Sequence, residues 1–273
     1  MPELPEVETI VRELTPHLCG RTITDIVLFW EGTIDRPSPE SFKERVIGAR
    51  IDAIDRRGKF LRFSLHSGNT LLVHLRMTGK FVIRAAEESN DDPYARLRFR
   101  LDDDTWLLFV DTRKFGRFYL TEDPAVLLDK LGPEPLSPDF TGSDFAARLK
   151  GHRGEIKRLL LDQRFIAGLG NIYASEALWR AGIHPQRSAS TLTHEEACRL
   201  HDAIVATLEE SIGNGGTSLG DRQYVYPNGT LGQQQEQLAV YDREGDSCPR
   251  CGYPVTRITQ SQRSTYFCPV CQK

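Results

Sequence analysis

The residues best suited to chemistry stand at the two ends of the chain, which opens Met1-Pro2-Glu3-Leu4-Pro5-Glu6-Val7-Glu8. Pro2 is small enough for the initiator Met to be removed, which would leave its ring nitrogen as a free secondary amine. A secondary amine that attacks an aldehyde-level carbon gives an iminium. That species is cationic without a proton, an electron sink of the kind lysine Schiff bases supply. Glu3 and Glu6 lie within a turn of it and could donate and accept protons. Taken alone, these residues have a structural reading of equal weight: proline pre-sets φ at a helix start, and glutamates there complement the helix dipole.

At the other end lie Cys248-Pro249-Arg250-Cys251 and Cys268-Pro269-Val270-Cys271, with sixteen residues between the pairs. This is zinc-ribbon spacing. Each pair offers two thiolates to one tetrahedral metal, and four protein ligands leave no open position, so the zinc would be structural. The competing reading is two disulfides. No signal peptide or apolar leader is recognisable, so a reducing cytosol is expected, where disulfides are rare. Cys19 and Cys198 fall in helical patterns and are expected to be small buried hydrophobes.

A length of 273 residues predicts two domains, or one large domain with a module, and 39% hydrophobic content supports a proper core. No apolar run reaches the roughly eighteen residues of a membrane span. The net charge of −3 argues weakly against a nucleic-acid binder, but local charge matters more than the total. Residues 246–273 carry four bases against one acid. Arg56, Arg57 and Lys59 form a second basic cluster, and Arg113, Lys114 and Arg117 a third. The acids gather elsewhere, at Glu87, Glu88, Asp91 and Asp92 and at Asp102, Asp103 and Asp104, and read as solvated turns.

These groups need elements to hold them. Val7, Ile10, Val11, Leu14 and Leu18 share one face of a helix predicted over 5–18, with Gly20 as its stop. Strand patterns follow over 23–28, 60–65, 71–77, 97–101 and 106–110, an arrangement that suggests an antiparallel sandwich. Pro133, Pro135 and Pro138 mark a boundary. Beyond it the chain reads as helical over 156–165, breaks at Gly168-Leu169-Gly170-Asn171, and resumes in a helix that ends near Gly182. Thr193-His194-Glu195-Glu196 has capping-box form before a long helix carrying Leu200, Ile204, Leu208 and Ile212. Residues 216–232 read as a mobile loop, and 238–241 as strand-like. The Gly168–Asn171 turn could receive a phosphate on its backbone N–H groups, with Asn171 capping the helix or donating to the anion. Gly-Asn turns also join helices with no such role.

Taken together, Pro2-Glu3-Leu4-Pro5-Glu6-Val7-Glu8, Arg57-Gly58-Lys59, His74-Leu75-Arg76-Met77, Asp111-Thr112-Arg113-Lys114-Phe115-Gly116, Gly168-Leu169-Gly170-Asn171-Ile172-Tyr173-Ala174-Ser175-Glu176 and the four cysteines with Arg263 occur in order along nearly the whole chain. The chain thereby resembles the bacterial formamidopyrimidine-DNA glycosylases, and Leu4 favours that branch over its sister, endonuclease VIII. The resemblance implies an α+β multidomain fold. An N-terminal catalytic β-sandwich flanked by helices would span 1–132, with a linker at 133–150. A helix-two-turn-helix DNA-binding domain with a lesion-recognition loop would span 151–236, and a four-cysteine zinc finger 237–273. It also implies a monomeric cytoplasmic, nucleoid-associated repair enzyme that flips an oxidised purine out of duplex DNA, removes it through Pro2, and cleaves the strand by β- and δ-elimination. One structural zinc would be held by Cys248, Cys251, Cys268 and Cys271. Glu3 would act as acid at the sugar, Glu6 would support the site, and Lys59 would belong to the catalytic group. Lys59, His74, Asn171 and Arg263 would hold phosphates, with Lys157 among the DNA-binding residues. Met77, Arg113 and Phe115 would fill the void, Arg113 facing the orphan base.

The chain departs from the family pattern in the loop Gly216-Thr217-Ser218-Leu219-Gly220-Asp221-Arg222, where Gly220 replaces a frequent basic residue. It also departs at 232–236, which lack an aromatic, and at Asp242, where glycine is common. These changes bear on substrate range, not on the catalytic end. Two alternatives stand beside the leading reading: a glycosylase for oxidised pyrimidines, and a non-catalytic binder of damaged DNA. The joint presence of Pro2, Glu3 and Lys59 argues against the latter.

Overall fold

The computed structural model describes residues 2–85, 92–218, 226, 227 and 229–273. Met1, the acids Glu87, Glu88 and Asp91, and the loop positions Gly220, Asp221 and Arg222 lie outside the described residues. The chain divides into two compact units, one of residues 2–129 with 214–235 and one of 130–213 with 236–273.

In the first unit, α1 (Leu4–Leu18) runs as its apolar spacing predicts, with Val7, Ile10, Leu14 and Leu18 buried. Gly20, just past its end, has φ +84°, the left-handed turn that glycine permits at a helix terminus. The strands are β1 (Ile23–Leu28), β2 (Ile34–Arg36), β3 (Ile51–Arg57), β4 (Phe60–Leu65), β5 (Thr70–His74), β6 (Lys80–Arg84), β7 (Ala95–Leu101), β8 (Trp106–Val110) and β9 (Arg117–Thr121), together with α2 (Pro39–Val46) and α3 (Ala125–Leu128). They form a four-stranded sheet in the order β1-β7-β8-β6 and a five-stranded sheet in the order β2-β9-β5-β4-β3. All pairs are antiparallel except β2 with β9. Between the sheets lies one apolar core. In it Phe63 of β4, Phe81 of β6, Phe109 of β8 and Phe118 of β9 meet edge to face at centroid separations of 4.9–6.1 Å, a geometry aromatic quadrupoles favour.

The apolar run 71–77 does not stay extended. β5 ends at His74, and Arg76 adopts φ +57°, turning the chain so that Met77 leaves the sheet. The described residues among 214–235 also belong with this unit, although the sequence groups 151–236 as the helical domain. A buried carboxylate accounts for the difference: the Thr217 N–H donates to Glu6 Oε1 at 2.8 Å.

The second unit contains α4 (Gly142–Leu149), α5 (Ile156–Leu160), α6 (Asn171–Ala181), α7 (His194–Gly213), and the hairpin of β10 (Thr256–Gln260) and β11 (Arg263–Phe267). α7 carries the predicted capping box: the Glu196 N–H donates to Thr193 Oγ1 at 3.2 Å, and the Thr193 N–H to Glu196 Oε2 at 2.8 Å. The helix expected over 156–165 stops after one turn. Asp162 and Gln163 divert its local bonds, Asp162 Oδ1 accepting the Arg164 N–H at 2.9 Å and Gln163 Oε1 the Gly168 N–H at 2.9 Å. Residues 238–241 are not a strand either. The N–H groups of Ala239, Val240 and Tyr241 all donate to the buried carboxylate of Glu176 on α6, at 2.8–3.0 Å. Cys19 and Cys198 are only partly buried. Among the described residues, no helix is long and apolar enough to cross a membrane.

Candidate active site

The start of α1 is held by side chains of its own sequence. Glu3 sits at the N-cap in extended backbone, 2% exposed, and Pro2 beside it is buried. Glu6 Oε2 accepts the Glu3 N–H at 2.7 Å while Oε1 accepts the Thr217 N–H. Both carboxylate oxygens of Glu6 are thus committed to backbone. It fixes the segment that carries Pro2 and Glu3, and ties it to residue 217. Thr217 is a contact that no local pattern reveals, since 211 residues separate the partners.

Lys59 lies in the two-residue turn between β3 and β4, where Arg57 pairs with Phe60. Gly58 at the first turn position has φ +57°, which a tight hairpin needs and glycine supplies. Arg56 anchors this turn to α1, donating to Glu8 Oε2 at 3.2 Å and to the Gly58 carbonyl at 3.1 Å. His74 stands opposite Phe60 across β4 and β5, ring against ring at 4.8 Å. Its Nδ1 accepts the Arg76 backbone N–H at 3.0 Å. Burial first, then the charges of Arg76 and Lys59, lower its pKa to about 3. The ring is therefore neutral at physiological pH, with Nδ1 used as acceptor and the proton on Nε2, which can donate to an anion.

Met77, Arg113 and Phe115 occupy two neighbouring loops of the same unit and point outward: Met77 is 38% and Phe115 44% exposed. The Arg113 guanidinium stacks on Phe115 with 4.8 Å to the ring centroid. Two large apolar side chains are thus exposed at the loops instead of being packed into the core.

In the second unit the predicted residues meet at one strand. Ser261 and Gln262, with φ +48° and +61°, make the tight turn that places exposed Arg263 at the tip of β11. Asn171 does not cap α6; Gly170 holds that position. The Asn171 side-chain amide instead donates to the Ser264 carbonyl at 2.9 Å. Lys157 departs from its expected place on the DNA surface. It is 1% exposed, and its ammonium donates to Thr265 Oγ1 at 2.8 Å and to the Ser264 carbonyl at 3.4 Å. It props the strand that presents Arg263.

Sγ atoms of Cys248, Cys251, Cys268 and Cys271 lie within 4.8 Å of one another, with Cys248 to Cys271 at 3.9 Å and Cys251 to Cys268 at 3.5 Å. A tetrahedron with zinc–sulfur bonds of about 2.3 Å has edges near 3.8 Å, so the set fits one zinc. Burial opposes ionisation of Cys248, yet the Trp179 indole N–H and the backbone N–H groups of Arg250 and Cys251 draw it down to about 6. Burial and the neighbouring sulfurs push Cys271 up to about 12. Cys248 thus loses its proton readily, while Cys268 and Cys271 resist losing theirs. A divalent cation at their centre removes that conflict by making every sulfur a thiolate ligand.

Residues 1–118 match the formamidopyrimidine-DNA glycosylase N-terminal domain, residues 131–223 its H2TH domain, and residues 245–273 the zinc finger found in FPG and IleRS. The chain belongs to the formamidopyrimidine-DNA glycosylase family. A formamidopyrimidine-DNA glycosylase of Chloroflexus aurantiacus is 49% identical over 275 residues, covering 100% of this chain and 98% of the relative. One from Protochlamydia amoebophila is 43% identical over the full length of both. Among solved structures, the Lactococcus lactis Fpg complexed with DNA containing an abasic site aligns with a TM-score of 0.91 at 36% identity, covering 99% of each chain. The MutM (Fpg) protein of Thermus thermophilus aligns at 0.89 and 44% identity, covering 99% of this chain and 98% of that one. The family's four-cysteine finger thus coincides with the cysteine cluster seen here, and the chain's fold is the family's sandwich, helical domain and finger.

Proposed function

We propose that this protein is a bifunctional DNA glycosylase and abasic-site lyase that removes oxidised purines, 8-oxoguanine and formamidopyrimidines, from duplex DNA. The observation that carries the reading is the pairing of Pro2 and Glu3 at a buried helix start that Glu6 fixes through both its oxygens. With Met1 removed, the Pro2 nitrogen attacks C1′ of the flipped nucleotide. A free α-amino group titrates near about 8, and the burial of Pro2 favours its neutral, nucleophilic form. Glu3 protonates the sugar ring oxygen as the base departs and the ring opens to the iminium. The iminium acidifies the C2′ protons, so β-elimination breaks the 3′ bond and δ-elimination the 5′ bond, leaving phosphate at both ends of the gap. Lys59, neutral His74 through Nε2–H, Asn171 and Arg263 hold phosphates around the flipped nucleotide, and Lys157 supports Arg263 from below. The working location is the bacterial cytoplasm, on the nucleoid.

Borohydride trapping on a duplex with an abasic site tests this reading, because reduction turns the iminium into a stable amine. The expected result is a covalent adduct whose peptide map places the DNA on Pro2. An adduct on Lys59, or none, would overturn the assignment.

Arg113 is assigned to the base opposite the lesion. Its guanidinium offers only donors, which suit the O2 and N3 acceptors of cytosine and oppose the N6 donor of adenine. One bidentate contact is worth about 1–3 kcal/mol, or roughly tenfold to a hundredfold discrimination. Arg113→Ala is expected to flatten the preference for cytosine and to slow excision. Excision rates opposite cytosine and adenine measure it, and an undiminished preference would give the role to another residue.

A further inference from the structure

We propose that Asp111 is a positioning residue that locks the Met77 turn to the Arg113–Phe115 loop, so that the void-filling set is in place before DNA arrives. The inference rests on the roles given above to Met77, Arg113 and Phe115. Asp111 follows the last residue of β8 and is 0% exposed. Its side chain reaches both loops. Oδ1 accepts the Thr78 hydroxyl and, at 3.1 Å, the Arg113 backbone N–H; Oδ2 accepts the Gly116 N–H at 2.7 Å. The Thr78 hydroxyl oxygen also accepts the Arg113 N–H at 3.2 Å, so the hydroxyl beside Met77 bonds to the loop beyond it as well as to the carboxylate. The Asp111 backbone is held in turn, its N–H donating to the Tyr94 carbonyl at 2.9 Å and its carbonyl accepting Arg96 Nε at 2.7 Å.

Both loops need such a hold. Arg76, next to Met77, and Lys114, next to Phe115, are non-glycine residues at φ +57° and +60°. A left-handed backbone of this kind persists where its surroundings over-determine it. The loops also share a floor. A side chain at either Gly79 or Gly116 would run into the ring of Phe109, the buried β8 residue two positions before Asp111. A fixed anchor and a fixed floor favour preorganisation of the exposed Met77, Arg113 and Phe115 side chains over assembly on contact with DNA.

An asparagine at 111 keeps the shape but turns one acceptor into a donor facing an N–H or a hydroxyl that needs an acceptor. A misplacement of about 1 Å at such a site costs on the order of a hundredfold in rate. Single-turnover excision opposite cytosine and adenine is to be measured for wild type, Asp111→Asn, Thr78→Val and Thr78→Ser, beside borohydride trapping on a single-stranded abasic oligonucleotide, which has no opposite base to read. Asp111→Asn is expected to slow excision opposite cytosine about a hundredfold and to bring the cytosine-to-adenine ratio close to one, with single-strand trapping retained. Thr78→Val should shift the ratio the same way, and Thr78→Ser, which keeps the hydroxyl, should restore it. A wild-type ratio in Asp111→Asn or in Thr78→Val overturns the proposal. If Asp111→Asn also loses single-strand trapping, its fold is damaged and the Thr78 pair decides. A wild-type protein that neither excises nor traps would instead mark failure of the glycosylase reading itself.

Discussion

Glu3→Gln is expected to abolish base excision while leaving DNA binding in place. The substitution preserves shape and keeps a side-chain oxygen, so the capping box can persist: the Glu3 side chain accepts the residue 6 backbone N–H, and Glu6 Oε2 accepts the residue 3 N–H. Pro2 and the first turn of α1 should therefore stay where they are. What is lost is a group that can give up a proton to the sugar ring oxygen as the base leaves. General acid–base catalysis contributes about 10²–10⁴-fold, so single-turnover excision of 8-oxoguanine opposite cytosine should fall by about a thousandfold. A binding isotherm on an uncleavable abasic analogue should shift by no more than about 1 kcal/mol, the centre of the range for single substitutions. A preformed abasic site already presents an aldehyde, so the lyase step should suffer less than excision. Excision within about tenfold of wild type would remove Glu3 from the acid role.

Cys268→Ser is expected to remove zinc and DNA binding together while the first unit remains folded. Cys268 is fully buried and follows directly on β11, the strand that presents Arg263. Structural zinc contributes on the order of 10–16 kcal/mol of apparent affinity in small fingers, more than a module with five buried apolar or cysteine residues in its cluster can replace. Without the metal, Arg263 loses its fixed hairpin, and Lys157 and Asn171 lose the Ser264 and Thr265 groups they bind. The sandwich has its own core in the other unit and should keep its thermal transition. Elemental analysis should find one zinc in the wild type and less in the variant, and affinity for abasic duplex should drop by about a hundredfold or more. Stripping the wild type with a strong chelator should mimic the variant, and added zinc should reverse it. DNA binding that survives in zinc-free protein would refute this role for the finger.

Chemistry that depends on residue type and short spacing can be read along the chain. A proline next to a removable Met, a glutamate beside it and two Cys-x-x-Cys pairs are local patterns, and the cysteines do converge within 4.8 Å. Helix α1, the capping box of α7 and the Gly170–Asn171 helix start were likewise visible, because helical periodicity and capping are satisfied within a few residues.

Tertiary structure decided what depends on partners far away in sequence. Glu6 became a fixed support because residue 217 brings an N–H to it. Lys157 left the predicted DNA surface because β11, more than a hundred residues on, covers it and supplies Thr265. Residues 238–241 look like a strand, but their donors go to Glu176, so no ladder forms. His74 reads as a lone histidine; burial and two nearby cations make it a neutral donor. Asp111 stood inside a recognised motif with no role, since its carboxylate acquires one only where β8 ends between two loops. In each case the residue's identity is set by the sequence, but the burial and hydrogen-bond partners that define its job come from segments that no short-range pattern brings together.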